Sequence, residues 1–213
     1  MKFLLVVLLT ALFSCQSQGN RSEAANLGDL LSLDFQKLDT ATFAGGCFWC
    51  VEASFEQIAG VIAAVSGYAG GQEGTADYRL VSSGSTQHAE AVQVYYDPSE
   101  IDYGTLLAIF FTAHDPTQLN RQGPDVGPQY RSEIFYHNNE QKTQSEAKIQ
   151  EISPKFNAGV VTRISKLEGF YAAEEYHQDY EKKHPKNSYI RNVSKPKIDK
   201  VAKVFKNRLK KEN

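Results

Sequence analysis

Cys47 and Cys50 stand three positions apart in Gly45-Gly46-Cys47-Phe48-Trp49-Cys50. A pair at this spacing can be half of a zinc site, a structural staple or a redox couple. Structural zinc needs four ligands. No second cysteine pair follows, and His88, His114, His137, His177 and His184 show no ligand spacing beside the first, so no metal is expected. The glycines allow close approach to the backbone. A cysteine at a helix start has its thiolate stabilised by free N–H groups and the helix dipole, which predicts a lowered pKa and a nucleophilic Cys47. On one helix the two cysteines share a face with their Cα atoms about 5 Å apart, within disulfide range. Redox work is the favoured reading. A thioredoxin-type disulfide oxidoreductase and a non-enzymatic binding module with a structural disulfide are its rivals.

The elements around the pair read as follows. Residues 39–44 form a short strand, Gly45-Gly46 a tight turn and 47–58 a helix. A β-branched strand over 61–66 leads into a glycine-rich loop at 67–71. Residues 88–96 are the clearest strand, ended by Asp97-Pro98, and 103–114 read as a buried helix. Residues 115–130 hold three prolines and two glycines, and a loop this long in a compact domain is usually functional. Strands at 134–136 and 160–164 flank an exposed helix at 139–152, and 169–183 are aromatic, acidic and partly helical. Alternating strands and helices argue an α/β domain.

Four blocks carry a resemblance: GCFWC after a strand, GYAGG at 67–71, HAEAVQVYYDP at 88–98 and HDPTQLNRQGPDVGPQYRS at 114–132. In order and spacing they resemble the peptide methionine sulfoxide reductase A family, over about residues 40 to 185. The resemblance implies a two-layer α/β sandwich with a βαββαβ, ferredoxin-like core and a mixed, largely antiparallel sheet. It also implies reduction of the S epimer of methionine sulfoxide, free or in proteins, with no bound cofactor and a thioredoxin-like external reductant.

The family's nucleophile falls on Cys47, and its aromatic wall for the substrate methyl on Phe48 and Trp49. The sulfoxide oxygen must gain a proton as the thiolate attacks sulfur, so a general acid is required. Strand alternation puts Glu90 with Val92 and Val94 on one face, where a desolvated carboxyl stays protonated nearer neutrality. Alone, such a glutamate reads equally well as an edge-strand surface residue; the family match makes it the acid. The resemblance assigns Tyr78 and Tyr130 as hydrogen-bond donors to the oxygen and sets Asp125 beside the pocket. Two departures stand out. Residues 72–77 differ from the family's usual entrance loop, and no cysteine follows Cys50, so the resolving thiol within the protein must be Cys50.

The beginning of the chain is of another kind. Lys2, an apolar run over 3–13 broken by Thr10, and Ser14-Cys15 resemble a bacterial lipoprotein signal. The expected division is a signal over 1–14, a lipidated tether over 15–36 attached through Cys15, and a reductase domain over 37–213. Such a protein is exported and membrane-anchored in the cell envelope. Neither nucleic acid nor a second copy is expected as a partner. Residues 181–213 carry 12 Lys and Arg against 3 acids. Ile198, Val201, Phe205 and Leu209 recur there at helical spacing, which predicts an amphipathic helix with a basic solvated face.

Overall fold

The computed structural model describes residues 37–211, so Cys15, the expected signal and the whole of the expected tether lie outside the described residues. The chain runs β1 (Asp39–Gly45), α1 (Phe48–Glu56), β2 (Val61–Ala69), α2 (Tyr78–Ser82), β3 (Ala89–Tyr96) and α3 (Tyr103–Ala113). It continues through the two-residue strands β4 (Arg121–Gln122) and β5 (Asp125–Val126) to β6 (Ser132–Tyr136) and α4 (Asn139–Ile152). The remaining elements are β7 (Arg163–Lys166), β8 (Phe170–Ala172), α5 (Tyr180–Lys183) and α6 (Lys195–Val204).

The run β1-α1-β2-β3-α3-β6 is the expected βαββαβ core. Its strands lie in the order β7-β6-β1-β3-β2-β8, antiparallel throughout except for the parallel β6–β7 pair. Phe43 in β1 stands at the junction of the two layers. Its ring stacks on Phe55 of α1 at 5.3 Å and on Phe110 of α3 at 5.0 Å. Each such buried aromatic stabilises by roughly 1.5–3 kcal/mol, so this contact fixes both helices on the sheet. Polar caps set three helix starts: Asp77, Asp102 and Asn138 accept from the amides of Leu80, Thr105 and Gln141.

Four boundaries differ from the sequence expectation. Residues 67–69 continue β2 because β8 pairs with them on the outer edge. The 160–164 strand lies at 163–166, where it finds β6 as a parallel partner. The partly helical 169–183 segment opens with β8 before α5. At the tail, helical geometry stops after Val204: a tight turn at Lys206–Arg208 brings Leu209 into a bridge with Ile58. Ala59 donates to the Arg208 carbonyl at 2.7 Å and Lys210 to that of Gln57 at 2.8 Å, which pins the chain end to the foot of α1. Among the described residues no helix is long and apolar enough to cross a membrane.

Candidate active site

Cys47 sits at the junction of β1 and α1, where Gly46 takes φ +93° and a Cβ there would lie 2.6 Å from the Gln122 side chain. Only glycine meets both conditions cheaply. Gln122 is itself clamped, donating to the Asp115 carbonyl at 3.0 Å and accepting from the Asp115 amide at 3.2 Å. The 115–130 segment therefore presses on the turn that presents the nucleophile. His114, at its start, bonds the Phe110 carbonyl and Ser132 Oγ, each at 2.7 Å, and burial drives its pKa down to about 4.

Cys47 is the residue before the first turn of α1 and its side chain caps nothing. The cap comes from β3 instead. Glu90 Oε2 accepts the Phe48 amide at 3.1 Å, one residue beyond Cys47. Glu90 is 2% exposed. Burial pushes its pKa up to about 8, against the pull of that amide and helped by the charges of Asp125 and Cys50. A helix N-terminus ordinarily favours an ionised carboxylate; desolvation wins here, and the group is a proton donor near neutrality.

Tyr78 begins α2 and Tyr130 ends a tight turn over Pro128–Tyr130. Both phenols are raised, first by burial and then by the charge of Glu90, with Cys47 also acting; Tyr78 reaches about 12. They stay protonated and neutral beside Glu90 and Cys47. Glu174 holds the Tyr78 end by accepting its amide at 3.0 Å and the Tyr68 hydroxyl at 2.7 Å. Arg131 holds the Tyr130 end, donating to the carbonyls of Pro128 and Gln87, both at 3.0 Å. Asp125 accepts the Tyr189 hydroxyl at 2.6 Å.

Phe48 and Trp49 play unequal parts. Phe48 is 1% exposed and packs among the rings of Tyr68, His177 and Trp49. Trp49 is half-buried, with Tyr180 stacked on it at 3.7 Å, Tyr189 edge-on at 6.0 Å and its Nε1 donating to His177 Nδ1 at 3.2 Å. Any aromatic wall open to a substrate methyl is thus Trp49, with Phe48 as its backing.

The expected lowering at Cys47 is not found. Both cysteines are free and buried. The Cys47 thiol is raised by burial, by its hydrogen bond to Cys50 and by the charges of Cys50 and Glu90, against a hydrogen bond from Tyr189. Cys50 is the one drawn down, to about 7: the Cys47 hydrogen bond outweighs burial, and the Lys197 charge, Ser194 and Tyr189 add to it. In the reduced pair the helix-start effect loses to desolvation, and the negative charge settles on the second sulfur.

The peptide methionine sulfoxide reductase family model matches residues 39–209. This chain belongs to that family. It is 52% identical to the peptide methionine sulfoxide reductase of Haloquadratum walsbyi over 171 residues, 80% of this chain and 98% of the relative. Among solved structures, reduced Mxr1 from Saccharomyces cerevisiae superposes with a TM-score of 0.68 at 36% identity, covering 71% of this chain and 88% of the other. Methionine sulfoxide reductase A of Corynebacterium diphtheriae gives 0.68 at 33% identity, with 71% and 77% covered.

Within this family member the sequence reading missed the groups supplied by 174–197. Glu174, His177, Tyr180, Tyr189, Ser194 and Lys197 reach the cysteine region from far along the chain. The aromatic density of 169–189 was the available signal, with no periodicity to assign it a face. Among the described residues one acidic group, Glu52, Glu56 and Asp179, brings its oxygens within 4.8 Å of one another. Lys182 already pairs with Glu56 at 3.0 Å and Asp179 at 3.1 Å.

Proposed function

We propose that the chain reduces the S epimer of methionine sulfoxide, free or in proteins, by an oxygen transfer to Cys47 followed by disulfide formation with Cys50. The Cys47 thiol passes its proton to the Cys50 thiolate as its sulfur attacks the sulfoxide sulfur, Glu90 delivers a proton to the oxygen, and the oxygen ends on Cys47 as a sulfenic acid while methionine leaves. Tyr78 and Tyr130 donate to the same oxygen as its charge grows. Cys50 then displaces the hydroxyl as water, and a thioredoxin-like dithiol reduces the disulfide. The supporting observation is the 3.1 Å contact of a buried, proton-carrying Glu90 with the amide next to Cys47.

Epimer-resolved assay with dithiothreitol tests this reading. Consumption of the S epimer alone supports it; reduction of insulin without sulfoxide turnover identifies a general disulfide oxidoreductase instead. Cys50→Ser should release one methionine per chain, then stall with thioredoxin and recover part of its rate with dithiothreitol. Turnover of Cys50→Ser with thioredoxin at the wild-type rate would remove the disulfide step.

The same proposal includes export and anchoring of a monomer through acylated Cys15 after cleavage behind Ser14. The supporting feature is an apolar run too short to span a bilayer, which needs about 20 residues, followed by a polar tether. Mass spectrometry of the membrane fraction checks it, and an unmodified soluble protein speaks against it.

A further inference from the structure

Ser194, in contact with Cys50, and Lys197, whose charge reaches it, have no task in the reaction as described. Ser194 is fully buried, and its Oγ lies 2.9 Å from Cys50 Sγ. It closes the π-helical turn Ile190–Ser194, a widened geometry that re-aims side chains and recurs at functional sites. Lys197, three residues on and so on the same helical face, buries its Nζ without a hydrogen-bond partner. A buried ammonium is costly unless an anion answers it. Lys197 lines a cleft of about 460 Å³ together with His114, Asp115 and Lys200. There the Asp115 carboxylate is already engaged by Thr117 and Gln118, while the Lys197 charge acts on Cys50. Cys47, Glu90 and Tyr189 also face Cys50, and none of these is a cation.

We infer that Ser194 and Lys197 form a thiolate cradle that makes Cys50 the nucleophile of the disulfide step. The inference rests on Cys50 being the resolving thiol. The Ser194 hydroxyl donates to the Cys50 thiolate, and Lys197 acts as a positioning residue by setting the charge balance. Cys50 Sγ attacks Cys47 Sγ: an S–S bond forms, the S–O bond of the sulfenic acid breaks, and the departing hydroxide takes up a proton to become water. The two sulfurs are left as a disulfide and no further oxidant is needed.

The test is the pH profile of disulfide formation in single turnover. The full chain is mixed with one equivalent of methionine S-sulfoxide, quenched, alkylated and weighed by mass spectrometry, which separates sulfenic acid from disulfide. Removing the cradle makes the thiolate scarcer but intrinsically more nucleophilic. For a rise of about one pKa unit, Lys197→Met should form disulfide roughly two- to threefold more slowly at and below neutral pH, yet about threefold faster at alkaline pH. Ser194→Ala should shift in the same direction, and Lys197→Arg should keep the wild-type profile. Crossing profiles support the cradle, because a distorted fold lowers the rate at every pH. Profiles of Lys197→Met and Ser194→Ala that superpose on wild type, or fall below it by one constant factor, overturn it. If the wild-type chain forms no Cys47–Cys50 disulfide, the resolving role itself fails, an outcome seen before any variant is compared.

Discussion

Glu90 caps the helix that starts beside Cys47: its Oε2 accepts the amide of Phe48, which leaves Oε1 to hold the proton in the proposed reaction. One carboxyl therefore fixes both where Cys47 sits and when a proton arrives. Glu90→Gln can keep an acceptor at the helix end and cannot give up a proton. Methionine release should slow by about 100- to 10,000-fold, the usual worth of general acid catalysis. The wild-type rate should fall as pH rises through about 8, where the acid form is lost, and the variant should lack that limb. Single-turnover release across the pH range reads both effects. A variant rate within a few-fold of wild type would move the acid role to Tyr78 or Tyr130.

Tyr189 donates its one hydroxyl proton to Asp125 at 2.6 Å, in the neighbourhood of the Cys47 sulfur. Hydrogen bonds to charged groups are worth about 1.5–3 kcal/mol. Tyr189→Phe should thus lower kcat/KM by roughly 10- to 100-fold with the fold intact. Unchanged kcat/KM beside unchanged thermal stability would leave the tyrosine as packing for Trp49.

His114 predicts an acid-sensitive fold. Its folded pKa of about 4 lies below the ordinary 6.5, so the unfolded chain binds its proton more readily. The stability at stake is complete above pH 6.5 and is lost as pH falls toward 4, about 3 kcal/mol by linkage. Glu52 and Glu90, each raised to about 8, run oppositely: their share is present below their unfolded pKa and is lost as pH rises through 8. Comparison of urea unfolding for wild type and His114→Gln isolates the histidine. The stability gap between them should shrink by about 3 kcal/mol between pH 7 and pH 4. A constant gap would show that His114 does not titrate with unfolding.

Gly46→Ala should cost at least 1–3 kcal/mol of stability, since φ is positive and the new methyl meets Gln122. The same change displaces Cys47, so activity should fall further than the loss of folded protein explains. Gln122→Ala in the Gly46→Ala background opens the space and should recover part of the activity. No recovery would point to backbone strain alone.

Legibility followed sequence distance. Local signals placed the strands and helices of an α/β domain, the α1 start and the buried side of β3, because period and turn residues act over a few positions; the βαββαβ core came with the family resemblance. Cys47, Glu90 and Tyr130 came from blocks of residues that carry the family pattern, and Tyr78 from its place between two of those blocks. Tyr189, Ser194 and Lys197 were hidden because a basic amphipathic tail is read as a solvated face. Only tertiary packing of α6 on α1 and α3 turns part of it inward. The Cys47 pKa was misjudged for a related reason: helix position is local, whereas desolvation depends on what the rest of the chain covers.

Cys50 and Ser194 are 144 positions apart. During synthesis the reactive pair is therefore made long before its lid of Tyr189, Ser194 and Lys197, and the bridge of Leu209 to Ile58 comes later still. A chain cut short before residue 189 lacks these groups, Ser194 2.9 Å from Cys50 among them, and its sulfurs are less covered against any oxidant or neighbouring chain. The closing segment doubles as a seal on manufacture, since only a finished molecule shields its own sulfur.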